Sequence, residues 1–331
     1  MTDIVLSVRD LHVEFPTRRG ILRAIDGISF EIRKGEVLGV VGESGAGKSI
    51  TGSAIIGLLE PPGRISGGAV YLHDQRIDNI GPDAMRRVRG KKIGMIFQDP
   101  LTSLNPLYTV GRQLTETILT HLPVSAEEAE KRAVGLLEEV GIPAAASRIN
   151  AYPHQFSGGM RQRVVIALAL AAEPELVIAD EPTTALDVSV QAQIIAVLKR
   201  LCNERGVAVM LITHDMGVIA ETADRVAVMY SGRLAELGPV RDVVKDPHHP
   251  YTKGLMGSIP HLGGEADRLV QISGAMPRLD AIPTGCAFHP RCEKAFARCH
   301  IERPSPISVD KSRVACWLYE EEKIENRGGA A

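Results

Sequence analysis

Residues 42–49 read Gly-Glu-Ser-Gly-Ala-Gly-Lys-Ser, which fits the phosphate-binding spacing G-x-x-x-x-G-K-S. Glycines let the backbone turn its N–H groups inward around anionic oxygens, and a helix opening behind the loop adds its dipole. Lys48 can reach β- and γ-phosphates, and Ser49 can ligate Mg²⁺. Downstream, Asp180 and Glu181 end the apolar run Leu176-Val177-Ile178-Ala179. A buried strand ending this way points its carboxylates at the phosphate edge of a sheet. Asp180 there suits orienting Mg²⁺. Glu181 suits holding and polarising an attacking water, help typically worth ~10²–10⁴ in rate. Taken alone, the first motif is a small-residue turn and the second a solvated strand end. Their joint presence favours phosphate chemistry.

Two further polar residues end apolar strands. Gln98 follows Ile93-Gly94-Met95-Ile96-Phe97, and His214 follows Val209-Met210-Leu211-Ile212-Thr213. In isolation Gln98 reads as a loop residue and His214 as a capping residue. Ser157-Gly158-Gly159 opens an apolar helix 23 positions before Asp180, with Phe156 and Met160 on its flanks.

The elements that must position these groups follow from periodicity. Runs at 4–8 and 28–32 predict a β-rich start, and 37–41 reads as a buried parallel strand. Helices are expected at 50–59, 110–121, 126–140, 160–172, 189–205 and 216–223, with strands at 176–179, 207–213 and 226–230. This alternation predicts an α/β fold with a largely parallel sheet and a helical insertion between the phosphate motifs. From about residue 246 the texture changes to Pro-punctuated sequence with scarce helical periodicity. A boundary is expected there, giving units 1–245 (helical part about 100–172) and 246–331; the last residues, from 320, are expected to fray.

Composition narrows the class. The chain has 331 residues, more than one core usually supports, and a formal net charge of −2, which gives no electrostatic case for a nucleic-acid partner. The longest purely apolar run, 164–172, is too short to span a bilayer. Met1-Thr2-Asp3-Ile4 lacks the features of a signal peptide, so a cytosolic protein is expected. Four of the five cysteines, Cys286, Cys292, Cys299 and Cys316, crowd into the tail, which in a reducing compartment suggests a metal site. Their spacing is not that of a zinc finger, and their number alone suits zinc or an iron–sulfur cluster equally. Ligation would also help hold a Pro-rich tail folded. His248, His249 and His289 read as exposed loop residues, and Cys202, in an amphipathic helix, as core.

Together these motifs resemble, in order, those of the ATP-binding cassette (ABC) ATPases, over residues 4–245. The resemblance implies an ABC-type P-loop nucleotide-binding domain with a β-rich N-terminal subdomain and a helical insertion. It makes Gly42, Glu43, Ser44, Gly45, Ala46, Gly47, Lys48, Ser49 and Ile50 the ATP cradle and Phe15 the aromatic stacked on adenine. Asp180 and Glu181 become the Mg²⁺-site acid and the catalytic glutamate, and His214 the switch histidine. Gln98 becomes the Q-loop residue, acting in catalysis and, with Ser49 and Asp180, at Mg²⁺. Asp187 falls in the D-loop. In such ATPases Ser157, Gly158 and Gly159 complete the ATP site of a second, head-to-tail subunit. Here Met160 replaces the usual Gln and Phe156 the usual Leu, so backbone donation carries over but a side-chain contact from residue 160 does not.

The segments 97–106 and 156–163 resemble the oligopeptide and dipeptide importer branch. So does the tail from His249-Pro250-Tyr251-Thr252 through Ile259-Pro260 to Cys316, as a small, irregular, Cys-containing C-terminal domain. The resemblance implies an ATPase peripheral to the cytoplasmic side of the cell membrane. Its implied partners are two transmembrane permease subunits, a solute-binding protein and a second, related ATPase chain. The segment after Gln98 is implied to face the permease. For the four cysteines the branch implies a 4Fe–4S cluster rather than zinc. Its members also import nickel, glutathione, opines or sugars, so the solute stays open. A soluble ABC protein of DNA repair or translation is disfavoured by the single cassette and the lack of a basic stripe.

Overall fold

The structure, a computed structural model, describes residues 3–183, 188–258 and 272–320, except for the side chains of residues 188, 189 and 201. Asp187 and the Ile259-Pro260 pair lie outside the described residues.

Strands β1 (Ile4–Thr17) and β2 (Gly20–Arg33) form a long hairpin, and β3 (Val37–Val41) then enters another layer. Strands β4 (Arg64–Leu72) and β5 (Gln75–Arg76) complete the first sheet in the order β2-β1-β4-β5, all pairs antiparallel. The second sheet adds β6 (Ile93–Ile96), β7 (Leu176–Asp180), β8 (Ala208–Ile212), β9 (Arg225–Tyr230), β10 (Arg233–Pro239), β11 (Ile307–Val309) and β12 (Ser312–Val314). Its order is β11-β12-β10-β9-β3-β8-β7-β6, parallel from β9 to β6 and antiparallel at the other edge.

The parallel strands are apolar throughout because both faces are covered. Alternate residues of β3, β7 and β8 feed two cores. Val37, Val177, Val209 and Leu211 join one, with the helical insertion and helix Val188–Arg205. Leu38, Ile178, Met210 and Ile212 join the other, with the antiparallel sheet and helix Lys48–Ile55. Cys202 is buried in the first core as expected.

Helices Val110–His121 and Ala126–Glu139 carry Thr109 and Ser125 as side-chain N-caps. They pack on helix Gly158–Leu170, itself capped by Ser157. Among the described residues no helix is long and apolar enough to cross a membrane.

The tail is more regular than its prolines suggest. Pro250–Gly257 is helical with Pro at its first turn, a position that needs no N–H. Strand β12 pairs with β10, through Glu236 opposite Val314 and Leu237 opposite Arg313, so the tail extends the main sheet. Tyr251, Met256 and Phe288 belong to the same core as the helical insertion.

Candidate active site

The loop 42–49 leaves the carboxyl end of β3 and enters helix Lys48–Ile55. Gly42 has φ +154°, and a Cβ there would sit 2.3 Å from the Met229 carbonyl oxygen. Gly47 has φ +103°, and its Cβ would sit 2.7 Å from Ile25 Cδ1. Both positions need glycine for conformation and for space. Lys48 is 6% exposed, and its ammonium donates to the carbonyls of Gly42 (2.9 Å) and Glu43 (3.1 Å). An ammonium carries three N–H groups. One therefore remains for a phosphate oxygen. Burial lowers the Lys48 pKa, while the charges of Glu181, Asp180 and Glu43 oppose this.

The acidic side of the site stands on β7. The Ser49 hydroxyl donates to Asp180 Oδ1 at 2.9 Å, joining residues 131 positions apart. Asp180 is 7% exposed, and burial raises its carboxyl pKa, against the Ser49 hydrogen bond and the Lys48 charge. A buried carboxylate and a hydroxyl, both hard oxygen donors, suit Mg²⁺. Glu181 has φ +45°, a left-handed conformation uncommon outside glycine. Its amide donates to the Ile212 carbonyl of β8. Its carboxylate accepts from Gln98 Nε2 at 3.0 Å and lies 3.3 Å from His214 Nδ1. Strands β6, β7 and β8 run parallel and adjacent, so their carboxyl ends deliver Gln98, Glu181 and His214 to one edge.

The structure thus brings Lys48, Ser49, Gln98, Asp180, Glu181 and His214 together. Phe15 lies on β1, half-buried, with its ring against Gly63. Ser157 accepts from Met160 N–H (3.4 Å), and Met160 sulfur faces Arg148. Sequence reasoning missed Arg291, Tyr251 and their attachment to Glu43. No local signal marks these contacts, which span 248 and 208 positions.

Two expectations are corrected. Cys286, Cys292, Cys299 and Cys316 border one cavity of about 20 Å³, room for about one water. They are free cysteines, and among the described residues no group of three or more His, Cys, Asp or Glu side chains could hold a metal ion. The expected 4Fe–4S cluster, or zinc in its place, is not supported. Burial raises the pKa of Cys286 and Cys292 and pushes Cys316 up to about 12, which favours neutral thiols over the thiolates a metal needs. His249 is not an exposed loop residue. It is 4% exposed, and its Nδ1 accepts from Tyr251 N–H as the helix cap.

Comparison with known proteins gives the family. Residues 25–184 match the ABC transporter family, and residues 235–299 match the oligopeptide/dipeptide transporter, C-terminal region. The dipeptide transport ATP-binding protein DppD of Bacillus subtilis (strain 168) is 48% identical over 319 residues, covering 96% of this chain and 95% of that protein. The oligopeptide transport ATP-binding protein OppD of Escherichia coli (strain K12) is 47% identical over 322 residues, covering 97% and 95%. A solved dimer of the ATP-binding cassette MJ0796, in a post-hydrolysis state with ADP and Pi, has a TM-score of 0.64 and 29% identity. It covers 71% of this chain and 99% of that one.

Proposed function

The chain belongs to the ABC transporter ATP-binding proteins of the oligopeptide and dipeptide transport branch, and from that premise we propose that it hydrolyses Mg·ATP to drive peptide import. The observation that carries this reading is the convergence of Lys48, Ser49, Asp180, Glu181, Gln98 and His214 at one edge of the parallel sheet.

In this reading the amides of residues 42–49 surround the β-phosphate, and the free N–H of Lys48 takes the γ-phosphate. Ser49 and Asp180 hold Mg²⁺, with Gln98 beside them. When bound, the ion would supply neutralisation of the charge that develops on the phosphates. Glu181 orients the attacking water and accepts its proton. Gln98 donates to one carboxylate oxygen of Glu181, and His214 lies beside the other, so they hold the base in position. Phe15 stacks on adenine.

Ser157, Gly158 and Gly159 open helix Gly158–Leu170, whose first N–H groups have no partner within the helix. They serve the γ-phosphate bound to a second, related ATPase chain, and Asp187 is a further residue of the nucleotide site in this reading. Residues 1–245 form the ATPase unit and 246–331 an appended support.

Phe97, just before Gln98, and Leu101 (61%) and Leu107 (79%), in the segment that follows it, are exposed. These apolar side chains suit docking against permease subunits, two per transporter, at the cytoplasmic side of the membrane. A solute-binding protein outside the membrane supplies the peptide. The test is reconstitution: the chain, its permease and its binding protein in vesicles should import labelled peptide only with Mg·ATP inside the ATPase compartment. Transport without ATP, or no ATP turnover in the assembled complex, would refute the reading.

A further inference from the structure

Glu43, the second residue of the phosphate loop, is held at both ends by the tail. Its amide donates to the Tyr251 hydroxyl at 2.9 Å. Its carboxylate accepts a two-pronged pair from Arg291, Nη1 to Oε2 at 2.9 Å and Nη2 to Oε1 at 3.0 Å. Arg291 is 6% exposed, and Nε is fixed by the Ser273 carbonyl at 2.9 Å. Tyr251 is fully buried, wedged against Tyr230 and Phe288 with ring centroids 4.7 and 5.4 Å away. Glu43 in turn passes its carbonyl to Lys48 Nζ at 3.1 Å. A continuous path therefore runs from the tail through one loop residue to the phosphate-binding lysine.

We propose that Arg291 and Tyr251 are positioning residues for ATP, acting through Glu43. The inference rests on the ATPase reading above. Two physical effects operate. Tyr251 fixes the direction of the Glu43 peptide, so the loop amides need less ordering when phosphate arrives. Arg291 neutralises a carboxylate that stands inside a polyanion site, where an unpaired negative charge would repel phosphate. The guanidinium fork suits a carboxylate as a lysine ammonium does not. Both effects act on bound ATP before and during reaction alike, so their loss should weaken binding rather than slow the chemical step.

The test uses the full chain, with ATP affinity by calorimetry and steady-state ATPase kinetics. Arg291→Ala should raise Kd and KM for ATP about tenfold, the scale of a charge-assisted hydrogen bond pair, with kcat kept within about twofold. Arg291→Lys should fall between the two. Glu43→Gln in the Arg291→Ala background should recover most of the loss, because the uncompensated charge is gone. Unchanged Kd in Arg291→Ala would overturn the proposal. So would a weakened Kd that Glu43→Gln does not rescue and Arg291→Lys shares in full, the mark of a merely structural defect. A wild-type chain that neither binds nor hydrolyses ATP would instead overturn the ATPase reading itself.

Discussion

The Gln98 side-chain amide donates to Glu181 at 3.0 Å, across 83 residues of sequence, while His214 Nδ1 stands 3.3 Å from the other carboxylate oxygen. Glu181 is thus held from two neighbouring strand ends in a left-handed backbone conformation. Such strain persists only where the surroundings impose it. Glu181→Gln keeps the shape and loses the base. Turnover should fall by ~10²–10⁴, with ATP affinity within about threefold of wild type, since Lys48 and the loop amides are untouched. Phosphate release and equilibrium ATP binding, measured on one preparation, check both halves.

Asp180 offers a test through stability. Burial raises its carboxyl pKa, so the folded chain binds this proton more tightly than the unfolded chain. Stability from this group is therefore greatest at low pH and falls as pH rises from the unfolded pKa through the raised folded one; above that the cost is fully present. Asp180→Asn should remove it. In Mg²⁺-free buffer near neutral pH the variant should melt above wild type. It should also lose Mg²⁺-dependent hydrolysis. A lower melting temperature would contradict the assignment of Asp180 as an electrostatically costly functional residue.

The site was legible because each of its residues follows an apolar strand or opens a helix, signals that lie within a few positions of each other. The parallel strands were legible for the same reason, being apolar on both faces. The hairpin was not. Strands β1 and β2 run far beyond the expected 4–8 and 28–32, because register shifts between Val8 and Leu11 and between Val13 and Glu14 break the two-residue alternation. Asp10, with φ +46°, lies within the shift between Val8 and Leu11. The order within the tail was not legible because it comes from partners far away in sequence. Val314 pairs with Glu236, and Arg303 reaches Asp26 at 3.0 Å. The four cysteines show the opposite error: proximity in sequence suggested ligation, whereas burial favours neutral thiols at Cys286, Cys292 and Cys316.

The exposed apolar segment after Gln98 gives a test of partner docking. Leu101 and Leu107 belong to no core, and the double variant Leu101→Glu/Leu107→Glu places charge where an apolar partner would sit. The free ATPase should keep its turnover and melting temperature, as surface substitutions usually change stability by less than about 0.5 kcal/mol. Co-purification with the permease should be lost. Retention of the complex at wild-type yield would rule this segment out as the docking surface.

His249 makes the tail sensitive to acid. Its ring is fully enclosed, and burial pushes its pKa down to about 4 from 6.5, only partly offset by a hydrogen bond with the Ala315 backbone. The folded chain therefore keeps this imidazole neutral where the unfolded chain would protonate it. The unfolded state binds the extra proton, so stability is lost as pH falls from about 6.5 and the loss is complete near 4. A depression of this size corresponds to about 3 kcal/mol. His249→Asn removes the titrating group but keeps an acceptor for the Tyr251 amide, since asparagine is a good helix cap. Urea unfolding at a series of pH values should show wild type losing more stability than the variant between pH 6.5 and 4, with the two curves running parallel above pH 7. Because Tyr251 holds the Glu43 amide, ATP affinity of wild type should weaken over the same acid window more than that of the variant. Parallel curves across the whole range would show that His249 does not carry the acid sensitivity of the tail.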